Sequence, residues 1–308
     1  VTSIIQNIGK VTNSGVEIEL DYNAFKNKDW SVSVGANATF VKNKIKNLPA
    51  TMKENGYISG SKKWLEGKSI YEFWLRQWHG VDPQTGDGLY VADVSKYNQG
   101  NIGTGDGNIT QSQFDEYKKT VVTIDGKELT NSYTYAKYDF SGSSIPDVYG
   151  GFNVRVSYKN FDLAAVFSYQ LGGQILDTNY ATMMSMTEFG YAQSPDLLKA
   201  WKQAGDITEV PRIDNSAAHT TNIGQSYSTR WLTSSDYLNL RSVTIGYQFP
   251  KAWLSKVMLK SARLNLTAEN LFMLKARQGL NPMANYSGVT YNEYMPSRNI
   301  TLGLNVSF

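Results

Sequence analysis

The chain of 308 residues contains no cysteine, and it has only two histidines, at His79 and His219. The absence of cysteine excludes disulfides, thiolate zinc sites and cysteine nucleophiles. No run of about 18 apolar residues is present, which excludes a helix that crosses a bilayer. The net charge of +3 is small and dispersed, so we expect no nucleic-acid partner. A barrel of membrane-spanning strands is not excluded, because half of each such strand is polar.

Residues 16–41 alternate between apolar and polar side chains on both sides of a turn at 26–29. This period of two predicts β-strands, because successive side chains leave a strand on opposite faces. Each run is longer than the usual strand of about five or six residues. Tilted strands of roughly nine to eleven residues are long enough to cross a bilayer. The pattern therefore predicts a wall between hydrocarbon and water, and so a role in transport.

The same alternation predicts about seven membrane strands, near 14–25, 30–42, 148–158, 161–172, 237–249, 262–272 and 299–308. Short connections alternate with long ones, at 43–147, 174–236 and 273–298. Outer-membrane barrels have short periplasmic turns and long extracellular loops. We therefore predict an all-β fold, an antiparallel transmembrane β-barrel. About seven strands cannot close a bacterial barrel, so we expect further strands from preceding sequence or another chain. The region 70–91 offers two more strands as an alternative.

Aromatic residues occupy the strand ends beside the short turns. They are Phe25, Trp30, Tyr158, Phe161, Phe249 and Phe308. Aromatic side chains belong at a membrane interface, where the ring contacts lipid and its polar edge lies near headgroups. The alternative is that aromatic residues simply favour strands. The common location of the six residues favours an interfacial row.

The sequence offers no catalytic constellation, and we expect neither enzyme activity nor a cofactor. Neither histidine has a partner at metal-binding spacing, so both are interpreted as solvated or as packing the loops. The segment 105–109 resembles part of an EF-hand calcium loop. Ile102 and Thr104 occupy ligand positions there, and Gln113 replaces the bidentate glutamate. Calcium in this outer loop is the one metal alternative that remains.

Several segments follow one another in an order typical of one transporter family. They are 13–17 (NSGVE), 80–86 (GVDPQTG), 145–152 (IPDVYGGF), 158–163 (YKNFDL), Trp201 with 205–206 (GD) and 210–212 (VPR), 237–241 (YLNLR), 246–250 (GYQFP), 269–272 (ENLF) and Phe308. Together they resemble the C-terminal portion of SusC/RagA-type TonB-dependent outer-membrane transporters, over nearly the whole chain. The terminal strand ending in Phe308 resembles the signal that is read during outer-membrane assembly.

The resemblance implies a barrel of about 22 strands in the bacterial outer membrane, with a plug in its lumen. It implies energy from TonB, ExbB and ExbD, a SusD-like surface lipoprotein as a lid, and import of a bulky glycan or peptide. The plug and the TonB-contacting segment are expected in an absent N-terminal part. Two alternatives are a structural subunit of a larger outer-membrane complex and a secreted all-β glycan-binding module.

Two sets of candidate residues follow from the barrel hypothesis. Polar residues of the alternating strands are expected to face the lumen: Glu17, Glu19, Asp21, Asn37, Arg155, Asp162, Arg263 and Glu269. For each of them, a generic hydrated face is the alternative to contact with plug or solute. Aromatic residues of the long loops are candidates to bind solute or lid: Trp64, Trp74, Trp78, Trp231, Tyr286 and Tyr291. Packing of the loops against each other is the alternative for this set.

Overall fold

A computed structural model describes residues 9–185, 190, 192–214, 216, 219, 223–224 and 227–308. Most of its regular structure is antiparallel strand, in agreement with the predicted all-β fold. No helix within these residues has both the length and the apolar content that crossing a membrane requires.

The described strands and helices are as follows. The strands are β1 (Lys10–Lys26), β2 (Trp30–Asn47), β3 (Tyr57–Ser59), β4 (Lys62–Trp64), β5 (Glu72–Arg76), β6 (Trp78–Val81), β7 (Gly88–Val91), β8 (Val121–Ile124), β9 (Lys127–Thr130), β10 (Tyr138–Ser143), β11 (Val148–Tyr158), β12 (Phe161–Leu171), β13 (Gln174–Leu176), β14 (Leu232–Ser234), β15 (Tyr237–Gln248), β16 (Ser261–Glu269), β17 (Met273–Lys275) and β18 (Asn299–Ser307). The α-helices are α1 (Gln111–Thr120), α2 (Thr178–Met184) and α3 (Lys251–Leu254), and short 3-10 turns lie at Ala50–Met52, Gln99–Asn101, Tyr133–Tyr135, Pro195–Lys199, Thr229–Trp231 and Ser255–Val257.

The long strands form one antiparallel sheet in the order β1-β2-β11-β12-β15-β16-β18, and β17 extends it beside β15. The register keeps like side chains on the same face of the sheet. Val34 of β2, for example, lies between Tyr22 of β1 and Val154 of β11. Because the pairing is maintained from strand to strand, the alternation read from each strand becomes one apolar face and one polar face.

Short connections join the strands at one end of the sheet, here called the short-turn end. Asn27 shapes the first of them, because its Oδ1 accepts hydrogen bonds from the N–H of Asp29 at 2.9 Å and of Trp30 at 2.8 Å. In the second turn Lys159 adopts a left-handed φ of 52°. The third connection contains α3 and a 3-10 turn. The opposite end of the sheet, with the long connections, is called the long-loop end.

The long connections fold into an outer layer, defined as the described residues of 48–147, 172–236 and 270–298. It contains the sheets β10-β5-β4-β3, β6-β7-β9-β8 and β13-β14. Strands β5, β6 and β7 all lie in 70–91 and belong to these small sheets. The alternative in which this region adds membrane strands is therefore wrong.

Two hydrophobic clusters hold the outer layer together. One packs Phe73 and Leu75 of β5 against Leu176 and Met184. The other brings Tyr97 onto Tyr117 of α1, with ring centroids 5.2 Å apart. Burial of this kind stabilises by about 25 cal/mol per Å² of apolar surface, which explains why the long connections are ordered.

Short sequence patterns in the outer layer predict one hairpin correctly and one helix wrongly. The pair Asp125-Gly126 predicts a hairpin at 121–130 with a type I′ turn. This prediction is confirmed, since β8 pairs with β9 and the two turn residues have φ values of 50° and 73°. The segment Ser194-Pro195-Asp196 has the sequence features of a helix start and predicts a helix to about Ala204. This prediction is wrong, since only the 3-10 turn Pro195–Lys199 forms there. Helix α1 was not predicted, although Thr110 and Gln113 form a reciprocal capping box at its start.

Candidate functional site

The polar face of the main sheet carries all eight residues that were predicted to face a lumen. On β1 and β2, Glu19 is opposite Asn37, and Asn37 is in turn opposite Gly151 of β11. Further along the sheet, Gly246 of β15 separates Asp162 from the strand that carries Arg263. The face therefore presents acids at the β1 side and mixed charges near β12–β16. What this face contacts in the whole protein stays a prediction.

Two glycines let polar side chains meet across a strand. Asp162 Oδ2 accepts a hydrogen bond from Arg263 Nη2 at 2.7 Å, across the position of Gly246. A Cβ atom at Gly246 would stand 2.6 Å from Asp162 Oδ1. Gly35 is similar, because a Cβ atom there would stand 2.5 Å from Asp21 Oδ1. At both positions a side chain in place of glycine would have to displace the ends of the polar side chains that now meet there.

Asn37 differs from the other polar-face candidates, because its amide takes part in the ladder of the sheet. Its Oδ1 accepts from the backbone N–H of Gly151 at 2.8 Å. The backbone carbonyl oxygen of Asn37 accepts a hydrogen bond from the Tyr169 hydroxyl at 3.0 Å. The side chain therefore fixes the junction of β2 and β11, a role that the alternation alone did not indicate.

The opposite face of the sheet is apolar and uncovered, even on its inner strands. Ile245 of β15 is 50% exposed, and Val34 of β2 is 37% exposed, although both strands have neighbours on each side. Soluble monomers rarely expose a contiguous apolar surface larger than a few hundred Å². A face this broad requires an apolar environment outside the described residues.

The six predicted interface aromatics gather at the short-turn end. The rings of Trp30 and Tyr158 lie 4.3 Å apart between centroids, and Tyr247 links Phe161 to Phe249 at 4.5 and 5.2 Å. A bulge between Asn23 and Phe25 changes the register of β1 and places Phe25 opposite Val32 on the apolar face. Phe308 directly follows β18. The row lies along one border of the apolar face.

The loop aromatics fall into two groups. Trp64, Trp74, Trp78 and Trp231 pack within the outer layer, and Trp231 is only 3% exposed. Trp74 lies against Tyr138 and Phe140, and Lys63 Nζ stands 4.0 Å from its ring centroid. In contrast, Tyr286 is 49% exposed and Tyr291 is 69% exposed. The two tyrosines keep enough free surface to contact a solute or a partner, whereas Trp231 packs the loops.

Two half-buried cations of the outer layer were not found from the sequence. The Arg230 guanidinium lies 4.7 Å from the ring centroid of Trp78 and 4.3 Å from that of Trp231, and burial lowers its pKa to about 10. Lys62 Nζ donates to the Tyr71 carbonyl at 2.8 Å, and burial lowers its pKa to about 7 against the opposing effect of Glu72. Trp78 is far from Arg230 and Trp231 in the sequence, so no local signal marked this cluster.

The histidines and the candidate calcium loop show no metal centre in the described part of the chain. His79 is exposed. His219 is buried, with Nε2 2.7 Å from the Arg212 carbonyl oxygen and Nδ1 3.8 Å from Asp87 Oδ1. Among the described residues, no group of three His, Cys, Asp or Glu side chains is arranged to hold a metal ion. Calcium at 105–109 stays a prediction.

Segments that carry the family resemblance meet in the outer layer although they are far apart in sequence. The carbonyl oxygen of Pro83 accepts from Trp201 Nε1 at 2.9 Å and from the N–H of Gly205 at 2.8 Å. Gly86, with a φ of 73°, lies so close to the Trp201 ring that a Cβ atom would stand 2.5 Å from it. Arg212 completes the contact through Asp87, at 3.0 Å. These motifs therefore form one structural junction between two long connections.

Comparison with known proteins finds similarity to TonB-dependent receptors. No protein-family model matches the chain. TonB-dependent receptor P3 of Formosa agariphila is 27% identical over the whole chain, which covers 30% of that protein. TonB-dependent receptor SusC of Bacteroides thetaiotaomicron is 24% identical over 98% of the chain, which covers 27% of SusC. The solved structure of the RagAB peptide transporter matches 98% of the chain and 30% of its own chain, with a TM-score of 0.75 and 23% identity.

The chain thus spans about 30% of the length of the curated relatives that it matches. The structural match shows a shared fold. Matched along essentially its whole length, the chain is similar to TonB-dependent receptors, SusC among them, at 24–27% identity.

Proposed function

We propose that this chain forms part of the barrel wall and the extracellular loops of an outer-membrane importer that takes up a bulky nutrient with energy delivered through TonB. The observation that carries the proposal is the uncovered apolar face of the main sheet, which lies between the aromatic row and the outer layer. In a bilayer this face would contact hydrocarbon, where aliphatic side chains need no further partner.

The dimensions of the sheet support a membrane position. On β2 the apolar face runs from Trp30 in the aromatic row to Phe40, after which the side chains become charged. At about 3.3 Å per residue this stretch is roughly 33 Å long, and a tilt of about 40° reduces it to about 25 Å along the bilayer normal. The apolar band of outer-membrane barrels is also about 25 Å tall.

The polar face would then line the lumen, and Glu17, Glu19 and Asp21 would meet a plug or a polar solute there. The edge strands β1 and β18 of the described sheet would pair with strands from the rest of the protein, since an open edge in lipid leaves unsatisfied backbone groups. The plug and the TonB-contacting segment belong, in this proposal, to the same absent portion. The wall itself performs no covalent chemistry.

The outer layer would bind the solute and a SusD-like surface lipoprotein that closes the barrel from outside. Among the six loop aromatics predicted from the sequence, Tyr286 and Tyr291 are exposed and available for this contact. The cargo class is a glycan or a peptide; RagAB is named as a peptide transporter, which describes that protein, and its likeness to this chain is one of fold. Uptake therefore has to be measured for both classes.

The test uses the full-length protein in its native membrane. We expect it to require detergent for extraction, to co-purify with a SusD-like lipoprotein, and to be needed for growth when one class of oligomer, glycan or peptide, is the limiting nutrient. A stable complex whose loss leaves uptake of both classes unchanged would instead indicate a structural subunit. Release from cells without detergent would indicate a secreted glycan-binding module and would refute the membrane assignment.

A further inference from the structure

Beyond the apolar band, the outward face of β2 changes to a row of lysines. Lys42, Lys44 and Lys46 follow Phe40 at intervals of two, and all three are exposed. The residues between them face the outer layer, and Ile45 is only 2% exposed. Within the described ranges, no ion pair involves any of the three lysines. The row therefore presents an uncompensated positive charge just past the long-loop end of the apolar face.

This lysine row does not protect an open strand edge. At its level β2 pairs with β1 on one side, where Ser14 is opposite Lys42. On the other side Ile45 exchanges backbone hydrogen bonds with residues 67–68, at 2.8 and 2.9 Å. Lysines that prevent aggregation are placed on unpaired edges. Another role has to account for the row.

A recess of about 790 Å³ opens beside the row and joins it to the apolar band. Its lower part is lined by Val16 and Phe40, which are paired with each other on the apolar face. Its upper part is lined by Lys42, Lys44 and Lys68. One cavity thus offers hydrocarbon contact at one end and ammonium groups at the other, which is the complement of an amphiphile with an anionic head.

Two acids, Glu72 and Asp147, also line the recess, and Asp147 is exposed. Glu72 interacts electrostatically with the half-buried Lys62. Three lysines, Lys42, Lys44 and Lys68, line the recess against these two acids, so its lining keeps a net positive charge.

We propose that this recess, with the lysine row, binds the phosphorylated headgroup of an outer-leaflet lipid, whose acyl chain lies along Val16 and Phe40. The position supports a lipid rather than a soluble anion. Lys42 lies roughly 7 Å along the strand from Phe40, the level at which headgroup phosphates follow the acyl region. Lysines near a membrane surface each attract anionic lipid appreciably. The inference rests on the proposed membrane function.

The test compares two triple variants of the full-length protein purified in mild detergent. Lys42→Gln with Lys44→Gln and Lys46→Gln removes the row. Lys26→Gln with Lys28→Gln and Lys159→Gln removes the same charge at the short-turn end and serves as the control. The probes are phosphorylated lipid A, dephosphorylated lipid A and inorganic phosphate. We expect the row variant to bind phosphorylated lipid A about 100-fold more weakly, at about fivefold per lysine, and the control to bind it like the wild type.

The inference is overturned if both variants bind phosphorylated lipid A equally, or if the dephosphorylated lipid binds as tightly. Displacement of the lipid by inorganic phosphate at equal concentration would also overturn it, because the site would then recognise a free anion. Heat-modifiable migration on SDS gels reports barrel formation separately. If the protein forms a barrel but the two variants bind phosphorylated lipid A equally, this inference alone is refuted. If the protein is extracted from the membrane without detergent, the proposed function is refuted as well.

Discussion

The substitution Val34→Arg tests the assignment of the two faces most directly. Val34 lies near the middle of the apolar stretch of β2, between Tyr22 and Val154, and its side chain is partly exposed. An arginine on the lipid face near the midplane of a bilayer costs about 2–4 kcal/mol. This corresponds to about a 30- to 1,000-fold shift in the folding equilibrium. We therefore expect a large loss of membrane assembly in this variant.

A matched control places the same side chain on the polar face of the same strand. Thr39 is opposite Glu17 of β1, so Thr39→Arg adds a favourable cross-strand charge pair of about 0.2–1 kcal/mol. Asn37→Arg, which the alternation alone predicts to be tolerated, is a poorer control. It removes the acceptor of the Gly151 N–H and costs about 1 kcal/mol.

The assay is urea-dependent folding of the full-length protein into lipid vesicles, followed by heat-modifiable migration on SDS gels. Val34→Arg is expected to fold only at lower urea than the wild type, and Thr39→Arg at nearly the wild-type midpoint. Equal midpoints for the two arginine variants would mean that both faces meet the same environment, and the face assignment would be wrong.

Three further predictions concern the charged and buried residues. Gly246→Val should lower stability by about 1–3 kcal/mol because it separates Asp162 from Arg263, and a double-mutant cycle with Arg263→Gln should show coupling. Trp231→Ala should cost about 3–5 kcal/mol in the outer layer, so limited proteolysis of that layer should increase while barrel assembly persists. Burial lowers the pKa of Lys62 to about 7 from 10.5 in the unfolded chain. Above about pH 7 the unfolded state therefore binds the extra proton, and local stability should rise by about 2 kcal/mol from about pH 7 to about pH 9.

Each of these predictions has an outcome that contradicts it. Additive effects in the Gly246 and Arg263 cycle would mean that the ion pair is not the reason for the glycine. Wild-type proteolysis of the Trp231→Ala protein would place the support of the layer elsewhere. For Lys62, hydrogen exchange of β4 and β5, corrected for the intrinsic rate, should lose its pH dependence in Lys62→Met; an unchanged dependence would assign the effect to another group.

The membrane-type strands were predictable because each carries its own evidence. In β2 the alternation from Trp30 to Phe40 specifies both the strand and its faces, and the short turns fix which strands are neighbours. The bulge at Phe25 was not predictable, since it depends on the pairing with Val32. The hydrogen bond from the Gly151 N–H to Asn37 Oδ1 was not predictable either, because Gly151 belongs to a segment that is distant in sequence.

The outer layer was predictable only where its signals are local. The type I′ turn at Asp125-Gly126 is such a signal. The cluster around Arg230 is not, because Trp78 and Trp231 meet only in the folded chain. The lysine row was overlooked because a net charge of +3 averages over the chain, whereas the alternation sorts Lys42, Lys44 and Lys46 onto one face. Charge has to be counted for each face of a strand.

The junction at Pro83 has a mechanical consequence. Its carbonyl oxygen is bonded both to the indole and to the backbone of the segment around Trp201, and the bulk of that indole leaves only a glycine at position 86. The first and second long connections are thereby joined by hydrogen bonds at Pro83. A displacement of either long connection at this point therefore has to break these hydrogen bonds or move the other connection with it.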